Sequence, residues 1–319
     1  MEVQIKIPLF NPIHAHDDIL THVDECNLEL LELNEKLEFS IEYVGILTPK
    51  IFFEDSKSPN KLVSKNLLFS VGFDDASISF DENLKVNDND QKLIIESIIS
   101  DDFRLKVYYF LILTQIAKPG TIKSREGTVI CNNRLQHYFP ALVSIQQESY
   151  EEIYNIKWPK LKTLKFIEVW EWFNRHQLSF ERHSNLKIER ALNAYTYLFR
   201  DNIGDIVFDL LWSLVGIEVI YCSSKEGIAQ QIFEKTQVVL GPLVDFKQRL
   251  KDMYNLRSRL LHGDLDIPPN HYPYDDDHEI KYQQELFNSV ALSTAVLTAT
   301  FQEMVIADKV ELKFKYELQ

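Results

Sequence analysis

Residues 203–221 limit the fold more than any other segment. They read Ile-Gly-Asp-Ile-Val-Phe-Asp-Leu-Leu-Trp-Ser-Leu-Val-Gly-Ile-Glu-Val-Ile-Tyr and are apolar on almost every side. A helix without a polar face must be covered all round, either by other helices or by lipid. Asp205, Asp209 and Glu218 interrupt the run, so it predicts the central helix of a bundle rather than a membrane span.

The segments around it have the same period. Phe166, Val169, Trp170 and Phe173 form one stripe, and Ile188, Leu192, Tyr195 and Leu198 form another. Residues 226–240 run to Gly241-Pro242, a stop and restart. Residues 243–262 make a further helix closed by Gly263 as its C′ residue, and 279–305 a long last helix. After that, Val310, Leu312, Phe314, Tyr316 and Leu318 alternate as in a strand.

The first half has another texture. Residues 1–8 alternate through Val3, Ile5 and Ile7, which predicts a strand. Helical spacing follows over 16–33, then short β-like runs at 38–47, 51–53, 67–73 and 77–80. Residues 88–99 and 103–117 read as two helices, the second closed by Pro119-Gly120, and 121–154 shows no clear pattern. The predicted architecture is an α+β domain over residues 1–155, a sensor or regulatory unit, followed by an all-α helical bundle over 156–319 that ends in a strand. Alternation at both termini suggests that residues 2–8 and 309–318 pair in one sheet.

The 319-residue chain suits two domains. Its net charge of −14 opposes indiscriminate binding of nucleic acid, although it allows a local basic pocket. Cys26, Cys131 and Cys222 are odd in number and far apart, which fits a reducing cytoplasm. No basic region followed by an apolar run opens the chain, so no signal peptide is expected and no membrane partner. His271, Asp275 and His278 lie in an acidic loop whose spacing matches no metal site. Neither a phosphate-binding Gly loop, a Ser-His-Asp arrangement nor a CxxC pair is present, so no metal or cofactor is predicted. His14 and His16 read as surface residues, and Lys160, Lys162 and Lys165 as a solvated helix face.

The chemistry concentrates in Tyr254-Asn-Leu-Arg257-Ser258-Arg-Leu-Leu-His262-Gly263. On a wheel at about 100° per residue, Met253, Leu256 and Leu260 form a core stripe. Arg257, Leu261, Tyr254, Ser258 and His262 spread over a mixed face beside it. Arg supplies a cation that never titrates and His moves protons near neutral pH, a pairing that can cleave RNA without a metal. Gly263 sets His262 at the helix end, where unpaired carbonyls attract positive charge. A plain salt bridge at Arg257 and plain capping at His262 are the competing structural roles. Glu218, a carboxylate in an apolar helix, needs a partner, and Arg257 is the candidate.

Arg257-x4-His262 resembles the Arg-x(4–6)-His signature of HEPN domains, and residues 254–263 look most like the Apea-like HEPN group. Residues 211–221, with Glu218, and the helix at 227–240 are similar to that group's preceding helices. The resemblance covers roughly 160–305 and implies a dimerising helical bundle. It also implies a metal-independent endoribonuclease of a toxin–antitoxin, abortive-infection or other antiviral system. Arg257 and His262 would be catalytic at a composite dimer site, with Glu218, Ser258 and Tyr254 in support. The products would be a 2′,3′-cyclic phosphate and a 5′-hydroxyl. RNA, a second copy of the chain, and an antitoxin or trigger protein are the implied partners. Ser258 departs from the Asn, Asp or His often found after the motif Arg. The alternatives are a non-catalytic HEPN module that binds RNA or protein, and a structural assembly protein, which the charge of −14 would suit.

Overall fold

The computed structural model describes residues 1–10, 17–34, 36–55, 63–73, 88–143, 149, 153, 156–180, 183–199, 206–245, 247–265 and 277–314. It is a mixed α/β structure with an antiparallel sheet and, among the described residues, eight helices. The chain divides into two compact units. The first comprises Met1–Gln115 and Thr121–Val143, and the second Ile116–Gly120 and Ser144–Gln319. The sequence boundary lay at 155, whereas the compact units part after Val143.

In the first unit the elements are β1 (Glu2–Phe10), α1 (Asp17–Glu32), β2 (Phe39–Ile41), β3 (Gly45–Leu47), β4 (Lys50–Asp55), β5 (Val63–Gly72), α2 (Asp88–Ala117), β6 (Gly127–Cys131) and β7 (Arg134–Phe139). Five strands form one antiparallel sheet in the order β4-β5-β1-β6-β7, while β2 and β3 make a separate hairpin. β1 is central because Val3, Ile5 and Ile7 put one wholly buried row on the pleat. Phe39 and Phe69 meet Phe103 and Phe110 of α2 edge to face, at 6.1–6.3 Å between centroids.

Three expectations are corrected here. The terminal strands do not pair: β5 and β6 occupy both edges of β1, and residues 309–314 lie in no strand. The two helices expected at 88–99 and 103–117 are one, α2. Its polar step Ser100-Asp101-Asp102 does not break it, because the aspartates find partners other than their own backbone. Asp101 accepts from Arg104 at 2.6 and 2.9 Å, and Asp102 accepts the Glu42 amide at 2.6 Å. The patternless stretch holds the hairpin β6–β7. It turns on Asn132 and Asn133, both with positive φ (47° and 62°), the backbone of a primed hairpin turn. The β-like run at 77–80, His14, His16, the acidic loop through Asp275, and Tyr316 and Leu318 lie outside the described residues.

The second unit holds α3 (Phe166–Arg175), α4 (Lys187–Thr196), α5 (Ile206–Tyr221), α6 (Ile228–Leu240), α7 (Lys247–His262) and α8 (Asp277–Ile306). α5 packs against α4, α6, α7 and α8. Gly216 lets α8 approach: a Cβ there would stand 2.7 Å from Leu297. Hydroxyls pair across the same seam, Ser213 with Ser293 at 2.6 Å and Tyr221 with Thr300 at 2.7 Å. α8 is the more enclosed helix, with Val290 through Gln302 buried without a break. Residues 280–306 are long and apolar enough to cross a bilayer, but 89% of their most apolar window is buried, as in a core helix. α5 keeps an open stripe instead. Phe208 is 46% and Val215 37% exposed, and Trp212 between them stacks on Tyr197 at 4.0 Å.

Within the lysine cluster Lys160 and Lys165 are exposed, as expected of a solvated face, while Lys162 is held. Lys162 pairs with Glu303 at 2.7 Å, and the buried Gln302 amide grips the Lys162 backbone on both sides while also donating to Ile116 O.

Candidate functional site

α7 folds as its apolar spacing requires. Leu250, Met253, Leu256 and Leu260 are buried on one stripe, with Tyr254, Arg257 and Ser258 half-buried beside it. Gly263, at φ 73°, ends the helix in a left-handed turn, and the Asp264 amide returns to Arg259 O at 2.9 Å. That bond is the six-to-one closure of a Schellman cap, which only a residue free of Cβ strain supplies easily.

Arg257 reaches across to Glu218 of α5. The closest approach, Nη2 to Oε1, is 3.1 Å but is not aligned as a hydrogen bond. The aligned bond, Nη2 to Oε2, is 3.5 Å and therefore weak. The attraction is mainly charge on charge, so the guanidinium is steered and not locked in a two-pronged clamp. Its remaining N–H groups have no partner among the described residues. The guanidinium also lies 5.7 Å from the centre of the Tyr254 ring, which gives the cation a second support.

The surroundings are partly shielded from water, with Arg257 22% and Glu218 19% exposed. Burial pushes the Glu218 carboxyl above the ordinary carboxylate range, against the pull of Arg257. Burial, and then the Glu218 charge, raise the Tyr254 phenol, again with Arg257 opposing. Cys222, one turn beyond Glu218, is pushed up to about 11 by burial and by Glu218, while Lys235 and Lys187 pull it down. Burial thus disfavours its thiolate, the nucleophilic form.

His262 stands apart. It is exposed and its ring makes no hydrogen bond or ion pair among the described residues. It lies five positions after Arg257, so the two side chains leave α7 about 7.5 Å apart along the axis and about 140° apart around it. The structure thus brings Glu218, Arg257 and Tyr254 together and leaves His262 outside that group. Ser258 is half-buried on the flank and contributes no side-chain bond among the described residues.

Cys222, Lys187 and Lys235 were missed from sequence. The four-residue spacing from Glu218 could have flagged Cys222. Neither lysine carries a local signal, because each meets this region through the fold. On the opposite flank of α7 a cleft of about 520 Å³ lies against α8, lined by Arg249, Asp252, Lys281, Glu285, Ser289 and Leu292 among others. Arg259 points to that side and pairs with Glu285 at 3.7 Å, so the cleft does not include Arg257. Among the described residues no three His, Cys, Asp or Glu side chains are grouped to hold a metal.

Comparison with family models, with curated proteins and with solved structures finds no match for this chain. The functional reading therefore stands on residues and geometry.

Proposed function

We propose that this chain is a metal-independent endoribonuclease of a defence or toxin-type system. It acts in the cytoplasm as a homodimer whose composite site is built from Arg257 and His262. The observation that carries the reading is the divergence of these two groups. Arg257 is steered by Glu218 with N–H groups to spare, while His262 stands unengaged and exposed on another side of α7. Within one chain they are poorly placed to share a phosphate. A two-fold pairing of α7 helices brings an Arg257 and a His262 to one cleft. The open stripe of Phe208, Trp212 and Val215 on neighbouring α5 gives such a pairing an apolar surface to cover.

The chemistry then follows without a metal. One imidazole takes the proton of the ribose 2′-hydroxyl as that oxygen attacks phosphorus. The bond from phosphorus to the 5′-oxygen breaks, and a second acid, the other copy's His262, protonates the leaving oxygen. Arg257 holds the phosphorane oxygens while negative charge builds on them. The products are a 2′,3′-cyclic phosphate and a 5′-hydroxyl. An antitoxin or trigger protein would act by blocking or assembling the composite cleft.

The test is cleavage of total RNA in EDTA by wild type, His262→Ala and Arg257→Ala, at concentrations spanning dimer formation. Each variant should lose at least about 100-fold in rate. Undiminished cleavage by His262→Ala would remove the composite site. Inertness of all three, with RNA still bound, would point instead to a non-catalytic binding module.

A further inference from the structure

The end of α5 is covered by an extended segment that belongs to no sheet. Residues 309–314 follow α8, with Leu312 and Phe314 turned inwards and Glu311 and Lys313 outwards. The root of the segment is fastened to α3: Trp172 Nε1 donates to Lys309 O at 3.2 Å, and Arg175 and His176 both donate to Asp308, at 2.9 and 3.0 Å. Its last described residue, Phe314, places its ring over the end of α5. Phe314 lies 5.2 Å from Lys235 Nζ and 6.0 Å from the Tyr221 ring.

What the ring covers is unusual. Lys235 is only 4% exposed, yet among the described residues its ammonium has no carboxylate partner. It donates to Tyr221 O at 2.7 Å, to Gln231 Oε1 at 2.9 Å and, at a long 3.4 Å, to Ser223 Oγ. Buried cations are ordinarily matched by an anion, because neutral oxygens offset only part of their lost hydration. A second ammonium sits beside it: Lys187 donates to Cys222 O at 3.0 Å. Both therefore cap the last carbonyls of α5, one turn beyond Glu218 and its partner Arg257. Three cations thus gather at one helix end, and one of them is shut away from solvent.

We propose that residues 311–314 form an autoinhibitory strap, in which Phe314 masks Lys235 and its release adds a phosphate-binding cation to the Arg257 site. The inference rests on the ribonuclease reading and supplies its regulation. With the strap seated, RNA meets Arg257 and Lys187. With the strap lifted, Lys235 can turn from Tyr221 O towards a neighbouring phosphate of the same strand.

The test uses the full chain and two readouts. The first is acylation of Lys235 by an amine-reactive ester, followed by peptide mass spectrometry. The second is binding of a 2′-O-methyl RNA oligonucleotide, which cannot be cleaved, followed by fluorescence anisotropy over a range of salt. In Phe314→Ala, Lys235 should label about tenfold faster through local opening of the strap. Binding should tighten severalfold, with a salt slope steeper by about 0.7 for one added phosphate contact. Adding Lys235→Gln should return binding to the wild-type level. Leu312→Ser loosens the same segment from its other inward position and should act in the same direction. Unchanged Lys235 labelling in a folded Phe314→Ala protein overturns the strap while leaving the ribonuclease reading intact. Faster labelling with wild-type binding overturns the role of Lys235 in gripping phosphate. Faster labelling with no RNA bound by any variant, wild type included, overturns the ribonuclease reading and the regulation together.

Discussion

Glu96 in the first unit and Glu218 in the second are both carboxylates on apolar helices facing an arginine, and they are treated very differently. Glu96 is wholly buried and both its oxygens are matched: Arg134 donates to Oε2 at 3.0 Å and Asn132 to Oε1 at 2.9 Å. The same Asn132 accepts the Glu2 amide at 3.1 Å, so the carboxylate ties the β6–β7 turn to α2 and β1. Glu218 keeps 19% of its side chain exposed and, among the described residues, pairs with one cation and leaves Oε1 without an aligned donor. A fully satisfied carboxylate fixes a turn. One that is half satisfied leaves its arginine available to another anion, and that contrast separates structural chemistry from functional chemistry in this chain.

Removing the two arginines is the strongest way to break the comparison. Arg134→Met strands a buried carboxylate with only Asn132 to support it, and should cost about 2 to 3 kcal/mol of stability. The loss would appear as a lower urea midpoint with an unchanged slope. Arg257→Met should cost no more than about 1 kcal/mol, because water still reaches Glu218. RNA cleavage should rank the two in the opposite order. If the two substitutions destabilise equally, Arg257 is as structural as Arg134 and the site has lost its main support.

The residues that were legible from sequence are those whose reasons are local. Leu250, Met253, Leu256 and Leu260 repeat at helical spacing and are buried, and Gly263 closes α7 as a glycine after a periodic run should. Val3, Ile5 and Ile7 alternate and lie on the inner row of β1. The same alternation misled at the other terminus. A strap laid over helices turns every second residue inwards just as a strand does, so Leu312 and Phe314 carried no sign of which it was. Asn132-Asn133 was overlooked because a primed turn is usually signalled by a following Gly. Lys235 was illegible, since its acceptor at Tyr221 and its cover at Phe314 are brought to it only by the fold. Glu218 and Arg257 lie 39 positions apart and were connected only by the need of a buried charge for a partner.

A smaller effect, but one with a definite sign, comes from titration. Burial raises the Glu218 carboxyl in the folded chain, with Arg257 opposing, so the fold favours its protonated form relative to the unfolded chain. That contribution is fully present below the ordinary carboxylate range and is lost as pH rises through the raised value. Glu218→Gln abolishes it, so wild type should lose stability relative to Glu218→Gln as pH rises out of the ordinary carboxylate range and through the raised value. Asp308 supplies the opposite sign. Its hydrogen bond from His176 and the charge of Arg175 outweigh burial and hold it below its usual value, so its contribution is present at higher pH and is lost on acidification. Asp308→Asn should therefore flatten the acid limb of the urea midpoint, whereas Glu218→Gln flattens the limb above it. If Glu218→Gln runs parallel to wild type throughout, Glu218 is no more perturbed than a surface carboxylate. It would then have no claim to hold Arg257 in any way that Glu96 does not hold Arg134.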